Sequence, residues 1–167
     1  IRDRIDFHVH MESQSGGQDR YVRRFQDNKA DLAFRSSVIA KKTLMSGFTS
    51  VRDVGGSGVN ISLRNAINNG VIPGPRIFTS GKTIATTGGH GDRTNGFRDD
   101  LVDDPGPEQG VVNSIADARK AVRFRYKNGA DLIKITATGG VMSLAKNGQN
   151  PQFTEELSLI HISEPTR

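Results

Sequence analysis

The chain has 167 residues, 34% of them hydrophobic, with 19 glycines and a mean hydropathy of −0.49, enough for one domain with a modest core. It has no cysteine, so disulfides and thiolate metal sites are excluded, and any metal must sit on histidine, carboxylate or a lysine-derived ligand. Its 23 Lys and Arg against 18 Asp and Glu give a net charge of +5, and no apolar run approaches the roughly 20 residues that span a bilayer.

Ile5–Met11 alternates, with Ile5, Phe7, Val9 and Met11 on one face and Asp6, His8 and His10 on the other, which is a strand period. Ser13–Gln18 is polar and reads as a loop. From about Ala30 to Ser46, Leu32, Val38, Ile39 and Leu44 recur near helical spacing, and Gly47 is placed as the stop. Phe48–Val54 is a second strand. Asn60 is placed to cap a short helix over Ile61–Asn69. Pro73-Gly-Pro75 enforces a turn, and Arg76–Ile84 supplies a third strand.

Thr86–Gly110 is a long glycine-rich loop, of the kind that is usually functional or disordered. Ser114-Ile-Ala-Asp117 has the outline of a capping box and opens a helix to about Lys127, ended by Gly129. Arg119, Lys120, Arg123 and Lys127 fall where that helix's solvated face belongs, so the basic balance reads as an outer helix and not as a nucleic-acid surface. Leu132–Thr138 is a fourth strand. Strands alternating with helices predict an α/β fold of parallel βαβ units. No dinucleotide-type glycine fingerprint follows the first strand, which favours a partial (β/α)8 barrel over a doubly wound sheet.

Four places carry possible chemistry. His8-x-His10 sets two imidazoles on one face of a strand, roughly 6–7 Å apart at the backbone, a spacing that suits one metal ion but also two half-exposed strand residues. Lys134 lies between Ile133 and Ile135, where a charged amine is costly unless it is paired, chemically altered or reaches solvent. His90 stands among glycines in Thr87-Gly-Gly-His-Gly-Asp92, either close to a ligand or simply exposed. Asp53 ends the second strand beside Gly55, where it can orient a ligand or cap a turn, with a structural role preferred. Neither a nucleophile elbow nor a phosphate-binding loop is present.

Taken in order, Asp6-Phe-His8-Val-His10, Gly47-Phe-Thr-Ser-Val-Arg-Asp53-Val-Gly-Gly56, Pro73-Gly-Pro-Arg76, Thr87-Gly-Gly-His90-Gly-Asp92 and Ala130-Asp-Leu-Ile-Lys134-Ile-Thr-Ala-Thr-Gly-Gly-Val141 resemble the amidohydrolase superfamily. The branch most resembled contains imidazolonepropionase-related hydrolases and prolidase-like Xaa-Pro and Xaa-Arg dipeptidases. The resemblance runs from Asp6 to Glu156 and implies the N-terminal half of the barrel, about the first four βα units, over residues 1–156. The tail 157–167 departs from the family and reads as foreign sequence, so His161 is not counted as a ligand.

The resemblance further implies two divalent metal ions, usually zinc. His8 and His10 would bind the more buried ion, and Lys134, carboxylated by CO₂, would bridge both as a catalytic carbamate. His90 would contact substrate. The implied reaction is hydrolysis of an amide or peptide-like C–N bond by a metal-activated hydroxide. A dipeptide-like or other small-molecule substrate is expected, with no nucleic acid and no membrane; the parent enzyme is free to be an oligomer, and the compartment is not readable from the sequence, a cytoplasmic location being preferred. The family's remaining histidines and proton-transfer carboxylate have no counterpart here, so the alternative is a truncated fragment without activity.

Overall fold

The structure, a computed structural model, describes residues 3–13, 19–140 and 150–163. Most of the expected Ser13–Gln18 loop, Val141 of the last motif and the His161 side chain lie outside the described residues. The chain divides into two compact units, one of 1–82 with 128–132 and one of 83–127 with 133–167.

In the first unit, strand β1 (Arg4–Val9) is followed by helices α1 (Asp19–Gln26) and α2 (Lys29–Met45), strand β2 (Phe48–Asp53), helix α3 (Val59–Asn68) and strand β3 (Arg76–Thr79). The strands form a parallel sheet in the order β1-β2-β3. Helix α1 is not among the expected elements: Tyr21, Val22 and Phe25 do recur at helical spacing, but the segment is only eight residues long and otherwise polar. The buried line of α2 is Ser36, Ile39 and Ala40, whereas Val38 is 62% exposed. Gly47 ends the α2 turn with φ +90, a conformation that strains any residue with a Cβ.

The core of this unit is Met11, Ile39, Ala40, Val51, Leu63 and Ile77, flanked by Val9, Phe48, Ile67 and Ile72. The expected apolar face of β1 is therefore only half used. Met11 is buried, but Ile5 and Phe7 are 54% and 61% exposed, because β1 has one neighbour, β2, and the core meets only its C-terminal end.

Asn60 does not cap α3. The helix begins two residues earlier, at Val59, and the cap comes from Glu12, whose carboxylate oxygens accept the Ser57 N–H at 2.7 Å and the Asn60 N–H at 2.9 Å. A carboxylate suits the positive end of a helix better than an amide oxygen does. At the other side of α3, Arg64 pairs with Asp131 at 2.6 Å and donates to the Gly129 carbonyl at 2.7 Å. Asp131 in turn accepts the Thr79 N–H at 2.8 Å, so the chain leaving the fourth helix is fastened to the end of β3.

The third strand stops at Thr79, short of the expected Ile84. The Thr79 hydroxyl accepts the Gly81 N–H at 3.1 Å, a local bond that turns the chain out of the ladder. In the second unit, Ile84 and Ala85 resume extended pairing, with Ile84 parallel to Ile135 and Ala85 parallel to Val111. The segment expected as the fourth strand, Leu132–Thr138, makes isolated bridges, Ile135 to Ile84 and Thr138 to Pro151, and no continuous strand. Its Lys134 carbonyl accepts the Ile84 N–H at 2.8 Å, and its Thr136 N–H donates back to the Ile84 carbonyl at 3.0 Å. Further along, its Ala137 carbonyl accepts the Gln152 N–H at 2.7 Å and Thr138 bridges antiparallel to Pro151, so the pairing is split between two partners and builds no ladder.

Helix α4 (Ile115–Lys127) starts at the expected Ser114, whose hydroxyl accepts the Asp117 N–H at 3.1 Å. It buries Ala118, Ala121 and Arg125, and leaves Arg119, Lys120, Arg123 and Lys127 exposed as expected for a solvated face. Helix α5 (Glu155–Ser163) follows, and Leu157 with Phe153 packs on a cluster of Ile84, Val112, Ala118 and Ala121.

Leu63→Ala should cost about 2–5 kcal/mol by leaving a cavity in the first core. Phe34→Ala, at a side chain 74% exposed, should stay within roughly 0.5 kcal/mol of wild type. Urea denaturation of both variants checks the assignment of inside and outside on this unit.

Candidate metal centre

Parallel strands deliver all their C-terminal ends to one edge of a sheet, and in barrels and open α/β sheets that edge is where ligands bind. In the first unit this edge holds His8 and His10 from β1, Asp53 to Gly55 from β2, and Thr79 to Gly81 from β3. Because His8 and His10 are two residues apart on an extended chain, their rings fall side by side, with centroids 5.4 Å apart and planes at 71°. Both are exposed. The His8 backbone N–H donates to Asp6 at 2.9 Å.

His10 Nδ1 lies 2.9 Å from the Gly55 carbonyl oxygen. A carbonyl oxygen only accepts, so Nδ1 carries the proton and the Nε2 lone pair is left for a ligand. Metal-binding histidines almost always have this second bond. The donor chemistry of the pair therefore fits one divalent ion. Among the described residues no group of three His, Cys, Asp or Glu side chains gathers around a common point, so the pair needs partners beyond its own strand.

Behind the histidines, Asp53 is completely buried. Its two oxygens accept the Gly55 N–H at 3.2 Å and the Met11 N–H at 3.3 Å. Burial pushes its carboxyl up to about 6, against the downward pull of those N–H bonds and of the Asn60 side chain, with the nearby Glu12 charge adding to the rise. The Asp53-Val-Gly55 bond to the residue two positions on is an Asx turn, and Asp-x-Gly was its legible signal. The Met11 bond spans 42 positions and left no local trace.

Lys134 and His90 belong to the second unit. Ile133 and Ile135 pack against that unit's apolar cluster, which sets Lys134 on the opposite side of the extended chain, half-buried. His90 is held by its surroundings. Asp92 accepts N–H groups from Gly88 at 2.8 Å and Thr94 at 2.9 Å and so folds the loop around it. The His90 backbone N–H donates to the Gln152 side chain at 2.9 Å. Gly140 lies so close to the imidazole that a Cβ there would overlap it, with Nε2 only 2.8 Å away. Sequence reasoning missed Gln152 and Gly140 as supports for His90, since each is distant from it in the chain.

A strand-helix chain with a parallel sheet and paired imidazoles at its C-terminal edge has the layout of the opening part of a barrel. Residues 4–163 match the sequence profile of the amidohydrolase family, and the chain belongs to that family. It is 52% identical to a Xaa-Pro dipeptidase whose crystal structure contains methionine in the active site, with a TM-score of 0.89 over 95% of this chain and 39% of that one. A prolidase crystallised with N-methylphosphonate-L-proline is 36% identical, with a TM-score of 0.78 over 93% of this chain and 38% of that one. Ochratoxinase of Aspergillus niger is 30% identical over 173 residues, covering 97% of this chain and 36% of that protein. The chain thus spans well under half the length of the relatives it matches, and its α/β architecture is that of a partial barrel. No helix among the described residues is long and apolar enough to cross a membrane.

The raised Asp53 carboxyl sets a pH dependence. Its folded value, about 6, exceeds the ordinary 3.8, so the folded chain holds this proton more tightly than the unfolded chain does. That contribution to stability is complete below pH 3.8 and is lost as pH rises through 6, a decline of about 3 kcal/mol. Urea titrations from acid to neutral pH should show this decline in wild type and its absence in Asp53→Asn. Parallel pH profiles for the two would contradict it.

Proposed function

We propose that this chain supplies part of the metal centre of a hydrolase that cleaves an amide or peptide-like C–N bond, the parent enzyme being a dipeptidase. The observation that carries this reading is the His8–His10 pair at the C-terminal sheet edge, with His10 Nδ1 committed to Gly55 and Nε2 left to a ligand. Likeness to a Xaa-Pro dipeptidase and a prolidase supports the substrate class, a dipeptide-like small molecule.

His8 and His10 hold a divalent ion, proposed as zinc, one of two in the complete enzyme. When bound, such ions acidify water and polarise a scissile carbonyl. Lys134 takes part as a carbamate: its neutral amine bonds the carbon of CO₂ and releases a proton. A costly half-buried cation thereby becomes an anionic oxygen ligand. Its half-buried place on the extended chain, on the side away from the cluster that Ile133 and Ile135 face, supports this role. His90, fixed by Gln152 and Gly140, contacts substrate. The 1–156 segment is read as the barrel half and 157–167 as contributing no ligand.

The 167 residues alone are expected to take up zinc weakly and to turn over no dipeptide, because the two histidines lack a third described partner in their group. Equilibrium dialysis should show zinc bound to wild type and affinity at least about tenfold lower in His8→Ala and His10→Ala. Zinc binding unchanged in both variants would remove the metal assignment. Zinc-dependent cleavage of a Xaa-Pro dipeptide by the isolated chain would show that it is not an inactive fragment.

A further inference from the structure

We propose that Asp53 is a positioning residue for His10, acting through the Gly55 peptide and through the backbone just after the histidine. The inference rests on the reading of His10 as a metal ligand. One Asp53 oxygen accepts the N–H of Met11, the residue that follows His10, at 3.3 Å. The other accepts the Gly55 N–H at 3.2 Å. The carbonyl of the same Gly55 accepts the His10 Nδ1–H at 2.9 Å. The circuit is closed: a single carboxylate fixes both the main chain beside His10 and the acceptor that orients its ring.

Three features make this more than a turn. The side chain is wholly buried, and a carboxylate withdrawn from water is costly unless its oxygens are used. Here both are used, on residues 42 positions apart in one case and 2 in the other. The circuit is also braced from β1 and β3, because the Val54 N–H donates to the Val9 carbonyl at 3.1 Å and the Ser80 N–H to the Asp53 carbonyl at 3.1 Å. The Asp53–Val54 peptide that leads into Gly55 is therefore held from both neighbouring strands. Finally, the consequence is chemical: an acceptor held against Nδ1 selects the tautomer whose Nε2 lone pair is available. An amide at position 53 offers one acceptor oxygen where two are needed, so one of the two N–H bonds must break.

The test uses the whole 167-residue chain with ¹⁵N-labelled histidine, at a pH above about 8, where imidazole is neutral. Two-bond ¹H–¹⁵N spectra report which ring nitrogen of His10 carries the proton. Wild type should show the Nδ1–H form. Asp53→Asn should shift His10 toward a mixture of tautomers, leave His90 unchanged and weaken zinc binding about 10–100-fold. Asp53→Glu, which keeps the charge on a longer arm, gives the same readout if the amide variant does not fold. A wild-type His10 protonated at Nε2 overturns the proposal without any variant, and so does a variant with wild-type tautomer and zinc affinity. A tautomer shift in a chain that binds no zinc supports the positioning role and overturns the metal reading instead.

Discussion

Where β1 and β2 end, a carboxylate with no access to water holds two backbone N–H groups, that of the buried Met11 and that of the half-buried Gly55. Leaving either donor unmade costs about 1–3 kcal/mol, so the two strand ends are obliged to stay where Asp53 puts them. The rest of the first unit follows from this. Glu12, two residues beyond His10, is thereby set over the first turn of α3, where it accepts from Ser57 and Asn60. Asn60 then donates to the Gly81 carbonyl at 3.2 Å and ties the turn after β3 into the same edge. A run of polar contacts, not apolar packing, shapes the end of the sheet that carries the histidines.

The apolar core lies beneath this polar edge and does a different task. Met11, Val51, Leu63 and Ile77 fix the strand register and the seat of α3, while leaving His8 and His10 in solvent. The second unit repeats the division. Ile84, Val112, Ala118 and Ala121 make its core, and Asp92 and Gln152 organise the loop that presents His90. In both units a buried or half-buried side-chain oxygen anchors the backbone on which an exposed imidazole stands. Such an arrangement limits the positions that each imidazole can take.

Much of this was legible in the residues. Alternation in Ile5–Met11, the stop at Gly47 and the helix opening at Ser114 each rest on interactions within a few positions, and each produced the expected element within a residue or two. His8 and His10 were legible as a pair because a strand's period of two leaves no other outcome for i and i+2. What was not legible depends on partners far away in the chain. The third strand ends at Thr79 because its hydroxyl bonds Gly81, and Leu132–Thr138 forms bridges only, to Ile84 and to Pro151, partners that no local pattern names. The α3 cap was given to Asn60 on local grounds, and the carboxylate that supplies it lies 48 positions earlier. Val38 was placed inward by helical spacing, yet the core takes Ile39 and Ala40 instead. The family resemblance carried what spacing could not, the order of five motifs along the chain.

The central claim is that His8 and His10 share one divalent ion. Crystals of the chain soaked in zinc and measured at the zinc absorption edge test it directly. The account predicts an anomalous peak within bonding distance of His10 Nε2 and of a His8 ring nitrogen, about 2.0–2.1 Å from each. Anomalous density elsewhere, with both imidazoles hydrogen-bonded only to water or protein, would contradict it.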